Sequence, residues 1–179
     1  MKKITLLALT FIFTSINAQE KLTTSKCTIY FEASVPLFEA VEAKNYDVEC
    51  ALYPEKSQIV FTAIIKNFQF KRDLMKEHFN SNYMESDRYP KATFKGIIEK
   101  FDINFLTDAE KEFKVKGKIS IHGQTRVINV IAKIKKTGDD IQFKSEFTLN
   151  TDDFNIEVPS NILAKISKTV NTKINCVVN

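Results

Sequence analysis

Apolar and charged residues alternate most regularly between residues 113 and 149. From Phe113 to Ile121, phenylalanine, valine, glycine and isoleucine alternate with lysine and serine. Two similar runs follow at 128–134 and 141–149. A repeat of two residues places successive side chains on opposite faces of a β-strand. Because short turns join the three runs, the pattern predicts an antiparallel meander.

The two turns of this meander predict a strand register. The segment His122-Gly123-Gln124-Thr125 has glycine at the first central position of a two-residue loop, which is typical of a type II′ turn. This turn would pair its two end residues and place Ile119 opposite Ile128. The longer second turn is expected to pair Lys136 with Ile141. Both registers keep the apolar side chains on one face of the sheet.

The rest of the chain predicts a barrel with one helix. Period-two alternation indicates five further strands, at 27–35, 46–52, 58–68, 91–101 and 170–178. Apolar side chains recur every three or four residues over 71–86, which predicts an amphipathic helix ending before Pro90. A short helical turn is expected near 160–166. About eight antiparallel strands favour a closed, mainly β barrel, since closure removes exposed sheet edges.

The third strand is apolar on part of both faces. Val60 and Ile64 lie opposite the inward Ile59 and Phe61 in the alternation. A strand of this kind is covered on its outer side as well. Either a helix or a second copy of the chain, in a homodimer, would supply that cover.

Residues 1–18 have the pattern of a secretory signal peptide. Two lysines precede an apolar core from Ile4 to Ile16 and a small residue at Ala18. We therefore expect an exported protein, periplasmic or extracellular, with a mature domain at 19–179. No later run approaches the roughly 20 apolar residues that a membrane helix needs, so no membrane span is expected.

The composition does not favour a nucleic-acid partner. Without Lys2 and Lys3, the 26 basic residues fall to 24, against 22 acidic residues. Nucleic-acid binding would need a clustered basic face. The 15 phenylalanines, without any tryptophan, are more unusual. Phenylalanine is apolar bulk that fills a core or lines an apolar cavity.

Three cysteines leave the disulfide pattern open. In an exported chain, Cys27 in the first strand can pair with Cys50 in the next strand, or with Cys176 in the last strand if the sheet closes. Three buried thiols are the third alternative, since buried cysteine is common as a small apolar side chain. The chain has no Cys-x-x-Cys pair, and we expect no metal site.

The sequence offers little support for catalysis. His122 lies in a tight turn, and His78 is expected to pack beneath the helix. Serine occurs in no Gly-x-Ser-x-Gly setting, and no phosphate loop or dinucleotide motif is present. We therefore expect neither catalytic residues nor a cofactor, and no enzymatic activity.

Lysines indicate which face of the sheet is inside. Burying several unpaired ammonium groups in a narrow barrel would cost several kcal/mol each, so Lys114, Lys116, Lys118 and Lys144 are expected to face water. The opposite, apolar side chains then line the lumen. The candidate lumen residues are Phe31, Phe61, Ile65, Phe94, Phe113, Val115, Ile119, Val130, Phe143 and Phe147.

Small residues in the inward set suggest unfilled space. Gly96, Gly117, Ala132 and Ser145 alternate with the large apolar side chains. An eight-stranded barrel is either filled by its own side chains or holds one small ligand. Space with an apolar lining favours a long apolar ligand, and periodicity alone leaves a packed interior equally open.

Several motifs together resemble one protein family. Tyr89-Pro-Lys-Ala-Thr-Phe-Lys-Gly96, the segment Val115-Lys-Gly-Lys-Ile-Ser-Ile-His-Gly123 and the segment Phe147-Thr-Leu-Asn-Thr-Asp-Asp-Phe-Asn-Ile156 resemble the YceI-like family, as does the helical region 68–86. The last strand, 170–178, resembles it less closely. The resemblance implies an exported, lipocalin-like barrel whose lumen holds a polyisoprenoid or a similar amphiphile.

The patterns also predict a lid over the lumen and a residue at the rim of the barrel. Met75 and Phe79 of the helix are expected to form a lid over the lumen. Arg126 has inward parity near a hairpin end, where it would meet a polar head group. The predicted function is therefore carriage or storage of a lipid. The alternative is a small packed barrel that serves as a protein-interaction or structural module.

Overall fold

The computed structural model describes residues 21–160, 162 and 164–179. The predicted signal peptide, 1–18, lies outside these residues, so export stays a prediction. Nine strands are present in the described chain: β1 (Leu22–Ser34), β2 (Glu42–Tyr53), β3 (Gln58–Ile64), β4 (Gln69–Phe70), β5 (Lys91–Ile98), β6 (Lys111–Ile121), β7 (Gln124–Thr137), β8 (Asp140–Asn150) and β9 (Ile166–Val178). The helix α1 (Asp73–His78) continues into a π-helical turn, Phe79–Tyr83, and single 3₁₀ turns occupy Pro54–Lys56, Ile65–Asn67, Ile103–Phe105 and Thr151–Phe154.

Eight of these strands close into one antiparallel barrel. The order is β1-β9-β8-β7-β6-β5-β3-β2, and β2 pairs with β1 to complete the circle. The two-residue β4 adds to β2 beyond this circle. The predicted closed antiparallel barrel is confirmed.

The first hairpin turn differs from the predicted type. His122 and Gly123 are its two central residues, with φ of 50° and 72°. Two positive φ values make the turn type I′, whose twist matches that of paired strands. Ile119 therefore pairs with Arg126, not with Ile128. The error of two residues preserves the alternation, so the inward set is unchanged.

The second hairpin and the lysine positions agree with the sequence. Lys136 pairs with Ile141 as predicted. The lysines at 114, 116, 118 and 144 are exposed on the outer face. Ammonium groups stay in water because burying them is costly. The face opposite the lysines is therefore the inner face of the barrel, as the alternation predicted.

The helical segments are shorter than their patterns predicted. The side chains of Asn80 and Ser81 bond the carbonyls of Lys76 and Glu77, four residues back. Such bonds compete with the regular helical ladder, and the α-helix gives way to a π-helical turn. His78 is exposed, so its predicted packing beneath the helix is wrong.

The described residues of 159–166 form hydrogen-bonded turns at the place of the predicted short helical turn. Ile162 N–H donates to the Pro159 carbonyl, and Lys165 N–H donates to the Ile162 carbonyl. Ile166 N–H also donates to the Ile162 carbonyl, four residues back, at 3.2 Å, and β9 begins at Ile166. On the other side of the barrel, Val60 and Ile64 are half-buried within the chain. The homodimer stays a prediction.

One half of the barrel is packed solid. Its core includes Leu52, Ile98 and Ile134, each at most 2% exposed. The Phe94 ring lies over the paired Gly96 and Gly117. The predicted space above these two glycines is therefore filled by an aromatic ring, and a small gap deeper in this half has a volume of about 10 Å³.

The disulfide joins the first and last strands of the barrel. Cys27 is bonded to Cys176, on the adjacent strands β1 and β9. Cys50 is a buried free thiol, and the three sulfur atoms all lie within 4.8 Å of one another. Closure of the sheet brings the sulfurs of Cys50 and Cys176 next to that of Cys27. Spacing along the sequence could therefore not show which of the two is the disulfide partner.

We expect Cys50 to be unreactive in the folded protein. Burial raises the pKa of its thiol to about 12, and the thiolate is the reactive species. At pH 8, Ellman's reagent should therefore find no thiol in the native protein and one after denaturation. Prompt modification of the folded protein would contradict this expectation.

Candidate ligand cavity

A large apolar cavity occupies the other half of the barrel. Its volume is about 650 Å³, within the range of roughly 300–1,000 Å³ typical of small-molecule sites. Phe61, Phe94 and Phe143 lie at its inner end, where the rings of Phe61 and Phe143 are 5.3 Å apart. These rings separate the cavity from the packed half of the barrel.

Most of the sequence-predicted lumen residues come together here. The cavity wall includes Phe31, Phe61, Ile65, Phe94, Ile119, Val130, Phe143 and Phe147. Phe113 and Val115 do not reach it. Phe113 packs against Phe101 in the packed half, with ring centroids 5.8 Å apart, and Val115 is 0% exposed. Alternation identifies the inward face of a strand, but not the height of a residue along the barrel axis.

Four phenylalanines hold the helical segment over the cavity. Phe31 of β1 stacks on Phe79 at 5.5 Å, and Phe68 and Phe70 lie 5.6 and 5.0 Å from the same ring. Tilted and edge-on aromatic pairs at such distances contribute beyond their buried area. The two residues of the predicted lid, Met75 and Phe79, both border the cavity.

Exposed residues that border the cavity, between the helix and the loop that follows β1, mark the mouth of the cavity. Phe38 and Glu39 of this loop border the cavity. The Glu39 carboxylate accepts a hydrogen bond of 2.7 Å from Arg72, just before α1. Lys165 lies at the same mouth. The sequence pattern missed this loop, because it has no regular alternation.

The 151–158 segment supplies another part of the wall. Phe154, Ile156 and Val158 line the cavity and are at most 9% exposed. Their alternation with Asn155 and Glu157 is visible in the sequence and could have predicted a buried extended segment.

Few polar groups face the cavity, and Arg126 is not one of them. Ser145 donates its hydroxyl proton to the Ile131 carbonyl at 2.7 Å, which satisfies it within the wall. Arg126 is exposed and donates to the Thr125 carbonyl at 3.1 Å. It is not among the residues that line the cavity, and its contact with a polar head group stays a prediction. The lining favours an apolar chain over a polar solute.

His78 borders the cavity with an exposed side chain, whereas His122 and the three cysteines lie outside it. Within the part of the chain that the structure describes, one cluster offers three potential metal ligands, namely Cys27, Cys50 and Cys176, and two of these sulfurs form the disulfide. The His122 ring contacts the Glu85 carboxylate and the Phe154 carbonyl, each at 3.0 Å. None of the described helices has the length and apolar character to cross a membrane.

Solved structures with the same fold include proteins from three organisms. A polyisoprenoid-binding domain from Saccharophagus degradans superposes with a TM-score of 0.76 at 13% identity, covering 89% of this chain and 97% of that one. BcnA from Burkholderia cenocepacia gives 0.68 at 16% identity, with coverages of 85% and 96%. A YceI protein from Campylobacter jejuni gives 0.55 at 18% identity, with coverages of 99% and 97%.

A comparison with curated protein sequences finds no match. The sequence does match the YceI-like domain family over residues 21–178. This range includes every strand of the barrel and the whole cavity wall. The protein therefore belongs to the YceI-like family.

Proposed function

We propose that this protein is an exported lipid-binding protein that holds a polyisoprenoid, or a similar long apolar amphiphile, in its barrel. The apolar cavity of about 650 Å³ is the observation that carries the proposal. The structural neighbour from Saccharophagus degradans, described as polyisoprenoid-binding, supports it. Export, to the periplasm or the extracellular space, rests on the signal-peptide pattern of residues 1–18.

The physical basis of binding is the removal of hydrocarbon from water. Each buried methylene contributes about 0.8 kcal/mol, so a chain of several prenyl units gains substantial affinity without any hydrogen bond. The aromatic inner end limits how deep the chain reaches. Its head group would remain near the mouth, where the side chains of Glu39 and Lys165 are exposed.

The cavity also separates this function from the alternative of a packed interaction module. A packed module would need its lumen filled by side chains, as in the other half of this barrel. Organic extraction of the purified protein followed by mass spectrometry tests the difference. A bound prenyl or acyl lipid supports the proposal, and a protein without lipid that also fails to bind added geranylgeraniol refutes it.

A tryptophan placed inside the cavity should block binding. Ala92 pairs with Ala63, and both line the wall. We expect Ala92→Trp to weaken geranylgeraniol binding more than tenfold, because the indole would occupy the space of several methylenes, each of which contributes about 0.8 kcal/mol. Titration with the neutral fluorophore N-phenyl-1-naphthylamine, displaced by geranylgeraniol, measures the effect.

Lys116→Trp is the matched control, because Lys116 is exposed on the outer face of β6. It carries the same bulky residue and should leave the affinity unchanged. Equal binding by wild type and Ala92→Trp would place the ligand outside the cavity and contradict the proposal.

A further inference from the structure

The barrel wall is interrupted beside the cavity. Pairing between β7 and β8 extends from Thr137↔Asp140 only to Ala132↔Ser145. Beyond that point β7 still pairs with β6 as far as Gln124, and β8 still pairs with β9 as far as Asn150. The two strands therefore separate on the cavity side, although each keeps its other neighbour.

The 151–158 segment fills this gap. It follows β8 directly, and its first residues lie beside β7. Phe154 is only 2% exposed, so the segment seals the wall as well as lining it. A barrel strand would be held by a ladder of backbone bonds, whereas the backbone bonds of 151–158 are internal, such as that from Ile156 N–H to the Thr151 carbonyl at 3.1 Å.

His122 bridges the gap from the opposite side. Across the described residues, a single hydrogen bond connects 151–158 to the β6–β7 hairpin, between His122 Nδ1 and the Phe154 carbonyl at 3.0 Å. The other ring nitrogen, Nε2, lies 3.0 Å from a carboxylate oxygen of Glu85, and the Tyr89 ring packs edge-on at 4.6 Å. Glu85 thus fixes the imidazole at Nε2, and the imidazole holds the 151–158 segment through Nδ1.

One polar group of the segment also lacks a hydrogen-bond partner. The Thr151 hydroxyl oxygen is buried without a hydrogen-bond partner in the described chain. A buried polar group in this condition favours opening, because exposure to water restores its hydrogen bonds. Few backbone bonds and an unsatisfied hydroxyl are features of a locally weak element.

We propose that the 151–158 segment is a side gate through which an apolar ligand enters the cavity between β7 and β8, and that His122 is its latch. This inference rests on the proposed function, since it concerns the same cavity. Opening moves one apolar stretch outward, breaks the exposed Asp152–Lys168 ion pair as well as the His122 bond, and leaves the disulfide and the helix in place. His122 does not line the cavity, so it acts as a positioning residue and not as a ligand contact.

His122→Asn tests the latch while preserving the turn. Asn-Gly is a favoured pair for a type I′ hairpin and tolerates the positive φ at position 122. Asparagine is too short to bridge Glu85 and Phe154. We expect association and dissociation rates of N-phenyl-1-naphthylamine, measured by stopped-flow fluorescence, both to rise about five- to tenfold, corresponding to one hydrogen bond. The equilibrium constant should stay within about twofold.

Hydrogen exchange supplies a second readout. Backbone amides of 154–158 should exchange faster in the variant, and those of β6 should not. Asp139→Asn is the matched control, because it changes an exposed turn residue at the opposite end of β7. It should alter neither the rates nor the exchange of 154–158.

Three outcomes would overturn the gate. Unchanged rates in His122→Asn would mean that the ligand uses the mouth beside the helix. A rise in the dissociation rate alone would mean that His122 stabilises the bound state. If the wild type binds neither the dye nor geranylgeraniol, the proposed function fails together with the gate, whereas normal binding with unchanged rates removes the gate alone.

Discussion

Replacing both Cys27 and Cys176 with alanine is expected to lower the free energy of unfolding by about 5 kcal/mol. The disulfide closes a loop with a sequence separation of 149. In the chain-entropy view, cross-linking so long a loop removes about 5 kcal/mol of conformational freedom from the unfolded chain. Since domains of this size are stable by roughly 5–15 kcal/mol, the variant should lose between about a third and all of its stability. Urea denaturation followed by circular dichroism measures the loss.

The double substitution is needed because of Cys50. Its sulfur lies within 4.8 Å of both disulfide sulfurs, so a variant that lacks only Cys176 retains a neighbouring pair, Cys27 and Cys50. Cys50→Ala is the control and should cost only about 1 kcal/mol, as an ordinary core substitution does. A loss below about 1 kcal/mol in the double variant would show that the disulfide does not stabilise the barrel.

Gly117→Ala should destabilise the protein by about 3 kcal/mol, the upper part of the usual range for overpacking. At an ordinary strand position the same substitution has the opposite effect, because alanine is more favourable than glycine by about 0.5–1 kcal/mol. A Cβ at this position would lie 2.5 Å from Cζ of Phe94 and 2.6 Å from the backbone oxygen of Lys95. The Phe94 ring borders the cavity and can shift towards it, but the Lys95 oxygen belongs to the backbone of the paired strand and has no such freedom.

Gly138→Ala separates crowding from backbone effects. Gly138 has a φ of 62°, and no atom lies within 4 Å of the place that an alanine Cβ would take, so the variant should lose only about 1 kcal/mol for the left-handed conformation. Phe94→Leu combined with Gly117→Ala should recover part of the loss, because the ring is one of the two obstacles. Equal urea midpoints for wild type and Gly117→Ala would contradict the packing described for this half of the barrel.

The outer architecture was predictable because its causes are local. Alternation at 113–149 specified strands and their two faces. The lysines then identified the wet face, since the cost of desolvating an ammonium group is too large for a narrow lumen. The predicted hairpin type was wrong, but the predicted inward-facing residues were unaffected, because the register error was two residues.

The ligand site was predictable only in part. Eight of the ten candidate lumen residues line the cavity, because inward parity is a property of the strand. Phe113 and Val115 do not, because the height at which the core changes from packed to empty depends on which distant side chains meet. The alternation at 154–158 could indicate a buried extended segment, but its position in the cavity wall depends on where β7 and β8 separate.

By itself, the sequence determined a closed antiparallel barrel with lysines outside and phenylalanines inside, because local alternation and desolvation act on every strand separately. The tertiary structure alone decided that Phe94 fills the space above Gly96 and Gly117. It also decided that Cys27 pairs with Cys176 and that the unfilled space lies in one half of the barrel. Each of these outcomes depends on contacts between residues far apart in the chain, and sheet closure is what brings those residues together.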